Sequence, residues 1–262
     1  LLLTSTAELA PDDLRAAAEQ RTTVLALEPI ATSLQELTAL GRPVSRRAAG
    51  AHHGPPIVHM PALLQAPGMR AAMVGPEESL ASVRLVSLQS FGTQAHGSLA
   101  ARLFDAWLTV LRFAEMPETI DAALAGAEEV PDALRAFSGA MSAHGRMPDG
   151  SAAALAVADT ASESSRRLSV LGSEGQLNVT DQAYALFHQG KPIDSSPEPR
   201  TPLDHIGLIT DHWRQLLARP DLAADGTAAP QQARALACCE ACALSARTGQ
   251  PENPRKLLEM HR

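Results

Sequence analysis

Aromatic side chains are scarce in this chain. Phe, Trp and Tyr make up 3% of its 262 residues, with a single Tyr. So few rings exclude a stacking platform for single-stranded nucleic acid or long glycans. Positive charge is also short: 22 Lys and Arg against 29 Asp and Glu leave a formal net charge of -7. A nucleic-acid binder would carry a basic face, so nucleic acid is not an expected partner. No apolar run reaches the roughly 18 residues that a membrane-spanning helix needs, so no membrane partner is expected. Leu1–Ala10 lacks the basic start of a signal peptide. Cysteine is confined to Cys238, Cys239 and Cys242 on one helix-like stretch. An odd, clustered set is no disulfide framework, and a reducing cytoplasm is the expected compartment. No second ligand pair accompanies the three, so they read as small buried residues of a core helix and no metal is expected. Neither G-x-G-x-x-G nor G-x-S-x-G occurs.

What is present is an ordinary globular composition, 45% hydrophobic, with a mean hydropathy of -0.06. The chain starts with a short apolar run, Leu1–Ser5. A helix over Pro11–Gln20 follows, acidic in its first turn, and then a second apolar run, Thr22–Leu27, leads into Glu28-Pro29-Ile30-Ala31. Strand, helix and strand at this spacing predict a right-handed parallel crossover. Two parallel strands cannot stand alone in water. Either more chain before Leu1 or another subunit is expected to complete the sheet. Ser33–Gly41 reads as a capped helix, with Glu36 three residues after Ser33 and Gly41 closing it.

Residues 42–61 read as a linker loop, with Arg46, Arg47, His52, His53 and His59 among Gly and Pro. The basic cluster reads either as a clamp for a phosphate or acidic ligand or as a mobile loop. The domain boundary falls there, between 1–41 (half of a Rossmann-like unit) and 62–262 (an α+β domain). In the second part Val83–Phe91 alternates as a half-buried strand, and a helix spans Leu99–Ala114. Further strands are expected at 152–160, 167–171, 176–180 and 184–188, with Gly172–Gly175 as a tight hairpin turn. Residues 195–202 read as an extended linker, and two helices, 203–218 and 230–247, close the chain. The expected fold is therefore α/β plus α+β: a partial parallel unit, then a mainly antiparallel open sheet with helices on one face. The uncovered face is expected to bury against a second copy, making a homo-oligomer.

Three stretches resemble the glucose–fructose oxidoreductase and inositol dehydrogenase (Gfo/Idh/MocA) family. Val24-Leu25-Ala26-Leu27-Glu28-Pro29-Ile30-Ala31 is similar to its Glu-Lys-Pro site at the end of a Rossmann strand. Arg167–Leu177 is similar to its strand, Gly-x-Glu-Gly turn and strand, and Glu240–Gln250 to its closing helix. The resemblance implies a Rossmann domain joined to an open-sheet domain, with NAD or NADP as cofactor. It implies hydride transfer on a sugar or cyclitol hydroxyl, so a small polyol is the implied ligand. It places Glu28 and Pro29 at the cofactor site, with Glu28 where the family has Lys. A carboxylate there does not stabilise a developing alkoxide. The family's Asp-x-x-x-His pair maps onto Arg102 and Ala106, or one residue earlier onto Ala101 and Asp105.

Asp105 is then the best remaining candidate acid or base. Arg102, three residues away on the same helix face, is a candidate to hold an anionic or hydroxylated ligand; the alternative is a surface ion pair. His96, just before Gly97-Ser98, is a candidate imidazole near the same cleft or a solvated loop residue. Asp204-His205 and Asp211-His212 repeat at seven residues, which suits metal ligands on one helix face or a plain polar face. Two readings follow: an NAD(P)-dependent oxidoreductase, or an inactive homologue serving as an oligomer subunit or small-ligand binder. The absent glycine turn leads to the expectation that these 262 residues do not bind NAD(P) with useful affinity.

Overall fold

The computed structural model describes residues 2–3, 11–20, 22–39, 57–73, 77–126, 129–218 and 229–261. The short apolar runs form a small parallel sheet in the order β1 (Leu2–Leu3), β2 (Val24–Ala26) and β3 (Ile57–His59). Leu2 pairs with Leu25 and Leu3 with Ala26, both in parallel register. The intervening helix α1 (Pro11–Glu19) sends Ala17 into the same core cluster as Val24 and Ala26. The expected parallel pairing is thus present. Ser33 caps helix α2 (Leu34–Ala39): its hydroxyl accepts the Glu36 N–H at 3.0 Å. The Glu36 carboxylate reaches back to the N–H of Thr32.

The linker reading needs correction at its end. Residues 57–59 are a β-branched run paired in parallel with β2, so the small sheet extends past the expected boundary. Arg46, Arg47, His52, His53 and Gly41 lie outside the described residues.

After a 3-10 turn at Leu63–Gln65 come the short helices α3 (Pro67–Ala72) and α4 (Glu77–Leu80). The large sheet follows. Its strands are β4 (Val83–Thr93), β5 (Thr119–Ala125), β6 (Ala140–Arg146), β7 (Ala152–Ala158), β8 (Thr160–Gly172), β9 (Gly175–Thr180), β10 (Tyr184–His188) and β11 (Lys191–Ser196). The order is β11-β10-β9-β8-β4-β7-β6-β5. All neighbours are antiparallel except β4 and β7. The β8–β9 hairpin turns at Ser173-Glu174, as the glycines predict. Strands β5 and β6 were not expected, and Ser195-Ser196 end a strand where the linker was expected to begin.

Three further helices close the core: α5 (Leu99–Phe113), α6 (His205–Ala218) and α7 (Ala229–Thr248), with α8 (Pro254–Met260) after them. Helix α5 packs on β4 and β7, and α7 packs on α5 and β5. The small residues of α7 allow close approach; Cys238, Cys239 and Cys242 are fully buried there. Burial pushes the Cys242 thiol up to about 12, so it is an inert packing residue that accepts a hydrogen bond from Trp107 Nε1. No described helix is long and apolar enough to cross a membrane.

Candidate active site

Helix α5 is buried on nearly every side, from Leu99 through Ala106, Trp107 and Val110. A charged residue on such a helix must find partners inside the protein. Arg102 and Asp105 do so, but not with each other. Arg102 donates to the carbonyls of Phe91, Thr93 and His96 at 3.1–3.2 Å. Its guanidinium lies against Gly92, where any Cβ would collide with it. Burial, reinforced by Arg166, lowers the Arg102 pKa. The expected surface ion pair is therefore corrected: both residues are buried, at 7% and 5% exposure.

Asp105 instead accepts the Leu63 N–H at 3.0 Å and Arg166 Nη1 at 3.0 Å. Arg166, on β8, also donates its Nε to Asp181 at 2.7 Å and reaches the carbonyl of Pro61. Burial opposes the Arg166 charge, but Asp181 and Asp105 outweigh it and raise its pKa. One guanidinium thus ties α5, β8, the end of β3 and the turn after β9 together.

Glu28 follows β2. Its carboxylate accepts the backbone N–H of Ser98 at 2.9 Å and the Ser98 hydroxyl. Ser98 is the N-cap of α5, where its own oxygen accepts the Ala101 N–H. A carboxylate at a helix start is favoured by the exposed amides and the helix dipole.

These groups surround one cavity of about 740 Å³ at the C-terminal ends of β2 and β3. Ligands of open α/β sheets bind in this crevice. Glu28, His96, Arg102 and Asp105 all line it, together with His59, Arg166 and His205. Pro29 is not among its lining residues. His96 is exposed at the mouth; its Nδ1 lies 3.0 Å from Ser164 Oγ, and its ring stacks on His205 at 4.8 Å between centroids. Burial, then the charges of His96, Arg166 and Arg102, hold the His205 pKa down at about 4.

The polar-face reading of α6 is also corrected. His212 is 2% exposed, with neither ring nitrogen partnered, because His212 shares the face of Leu208 and Leu216 that packs inward. Burial, then His59, Arg70 and Arg166, depress its pKa to about 4. Among the described residues no group of three or more His, Cys, Asp or Glu is placed to hold a metal ion. His59, expected in the linker loop, is a cavity residue. It ends β3, packs its ring edge against Phe104 at 5.6 Å and faces the cavity. The run Ile57-Val58-His59 after two prolines was the available signal.

No family model and no curated protein matches the sequence. Solved structures do match in fold. Levoglucosan dehydrogenase in complex with NADH and levoglucosan is 12% identical, with a TM-score of 0.69 over 96% of this chain and 79% of that one. An Agrobacterium radiobacter oxidoreductase in complex with NAD+, L-tartaric acid and magnesium is 12% identical, with a TM-score of 0.71 over 98% and 80%. UDP-N-acetylglucosamine 3-dehydrogenase from Acidithiobacillus ferrooxidans is 12% identical, with a TM-score of 0.65 over 94% and 77%. The chain has the fold of the Gfo/Idh/MocA-type oxidoreductases.

Proposed function

We propose that this chain is a small-molecule binder built on an oxidoreductase fold. Its cavity takes an uncharged hydroxylated compound of the sugar or cyclitol class, and Glu28, Arg102 and Asp105 carry no hydride-transfer step. The observation behind this reading is that all three side chains are engaged in the scaffold. Glu28 holds the start of α5, Arg102 holds three carbonyls, and Asp105 holds Arg166 and the Leu63 amide. These bonds give each of the three charges a structural role inside the protein.

Charge disfavours an anionic ligand. Six carboxyl side chains line the cavity (Glu28, Asp105, Glu163, Asp181, Glu198 and Asp204) against the three guanidiniums of Arg102, Arg166 and Arg167. The nicotinamide cofactor that the fold implies does not fit the described residues. Its pyrophosphate needs free amides at a helix start. The start of α5 is occupied by the Glu28 carboxylate, and α1 opens on Asp12 and Asp13.

Calorimetric titration with levoglucosan and myo-inositol, each with and without NADH, tests the reading. Binding of an uncharged probe that is independent of NADH is the expected result. Micromolar NADH affinity with NAD+-dependent oxidation of either probe would establish the oxidoreductase reading instead.

The homo-oligomer belongs to the same proposal. What supports it is the large sheet, whose helices α5 and α7 cover one face. The other face presents small side chains, including Ala154 and Ala156 of β7 and Ser87 of β4, flat enough for a second sheet to approach.

A further inference from the structure

His59 is the buried ionisable group of the cavity that the scaffold does not use. It is 8% exposed and lines the cavity, yet its Nδ1 is buried without any hydrogen-bond partner. The other ring nitrogen, Nε2, is not among the buried unpartnered atoms, and the residue borders the cavity. A neutral imidazole holds one proton, on one nitrogen or the other. Placing it on Nδ1 would strand a donor in the protein, and orphaned buried N–H groups are rarer than under-satisfied acceptors. Placing it on Nε2 lets water or a ligand satisfy it.

We propose that His59, as the Nε2–H tautomer, donates a hydrogen bond to a hydroxyl or carbonyl oxygen of an uncharged ligand held in this cavity. The inference rests on the binding reading above and deepens it. The ring is neutral because burial lowers its pKa, outweighing the opposing charges of Asp105 and Glu28. A neutral donor recognises oxygen without demanding a negative charge. This agrees with a cavity that already has more carboxyl than guanidinium groups. Phe104 packs against the ring at an interplanar angle of 84° and restricts its plane.

Two measurements test this. The first is the nitrogen NMR spectrum of the ligand-free protein labelled in its imidazoles, with His59→Phe used for assignment. His59 is expected as the Nε2–H tautomer, and an Nδ1–H tautomer or an imidazolium at neutral pH overturns the proposal. The second is affinity for levoglucosan and myo-inositol. His59→Phe keeps the ring against Phe104 but removes the donor, and is expected to weaken binding by about tenfold. His59→Gln, whose amide reaches the same place, is expected to recover most of the loss. Unchanged affinity in a folded His59→Phe protein overturns the proposal while the binding reading stands. Failure of the unaltered protein to bind either probe overturns the binding reading, and the tautomer then decides the His59 assignment by itself.

Discussion

Glu28 closes on Ser98 across 70 residues of sequence, its carboxylate accepting both the backbone amide and the hydroxyl of that residue. This contact joins the end of the small parallel sheet to the first turn of the central helix. It places a negative charge where α5 presents its unpaired amides. Glu28 thereby becomes part of the framework.

Replacing Glu28 therefore changes stability. Glu28→Ala is expected to cost roughly 1–3 kcal/mol, the range for losing a hydrogen bond to a charged group. Glu28→Gln retains an acceptor oxygen and costs less. Glu28→Lys costs more than Ala, because it sets a cation at the positive end of the helix dipole. Urea unfolding of the three variants gives the order directly. A Lys variant as stable as the unaltered protein would remove the framework role.

Arg166 carries the second junction. Arg166→Met leaves Asp105 and Asp181 without their shared cation, at an expected cost of roughly 3–5 kcal/mol. Arg166→Lys recovers little, since one ammonium cannot span two carboxylates and the Pro61 carbonyl. Combining Arg166→Met with Asp105→Asn is expected to cost less than the sum of the two single changes. A double-mutant cycle in denaturant measures this, and strict additivity would contradict a direct pair.

Local patterns made much of this fold legible. The alternation at Val83–Phe91 marked β4, and the glycines at 172 and 175 marked the β8–β9 turn. The apolar runs on either side of the Pro11 helix predicted the parallel pairing of β1 with β2. Strands β5 and β6 escaped because Ala is their commonest residue (Ala122, Ala123, Ala125, Ala140 and Ala143), which does not distinguish strand from helix. Ile57–His59 escaped because three residues are too few for a period to show. At the site, sequence spacing put Arg102 and Asp105 on one helix face but could not show that they diverge. The true partner of Asp105 lies 61 residues away on β8, and Arg102 is held by carbonyls, which no residue type encodes. Gly92 was the one local trace of Arg102, recognisable only once the guanidinium is seen lying against it.

The open face of the large sheet makes a separate prediction. Along β7 the alternate side chains Ala153, Leu155 and Val157 are buried, so Ala154 points away from α5. Ala154→Arg is expected to turn an oligomer into a monomer with little loss of unfolding free energy, because that side chain does not belong to the helix-covered core. Light scattering at micromolar concentration checks both halves. A monomeric unaltered protein would end the oligomer proposal.

His212 predicts a pH dependence with a defined sign. Its folded pKa is about 4, against 6.5 for the unperturbed ring. Between those values the unfolded chain binds more protons than the folded one, so stability rises with pH across that window. The contribution is fully present above pH 6.5 and is lost as pH falls towards 4. For a side chain 2% exposed, the shift corresponds to on the order of 3 kcal/mol. His59 and His205 act in the same direction, and the half-buried His205 is weakened by solvent screening. His212→Met removes the titrating ring and both unpartnered nitrogens while roughly keeping its volume. At about pH 7.5 the variant should be at least as stable as the unaltered protein; at about pH 5 it should be clearly more stable, because it no longer resists protonation. Urea midpoints at the two pH values decide the matter. Equal losses on acidification in both proteins would show that His212 is protonated in the folded state, and that its buried nitrogens have partners after all.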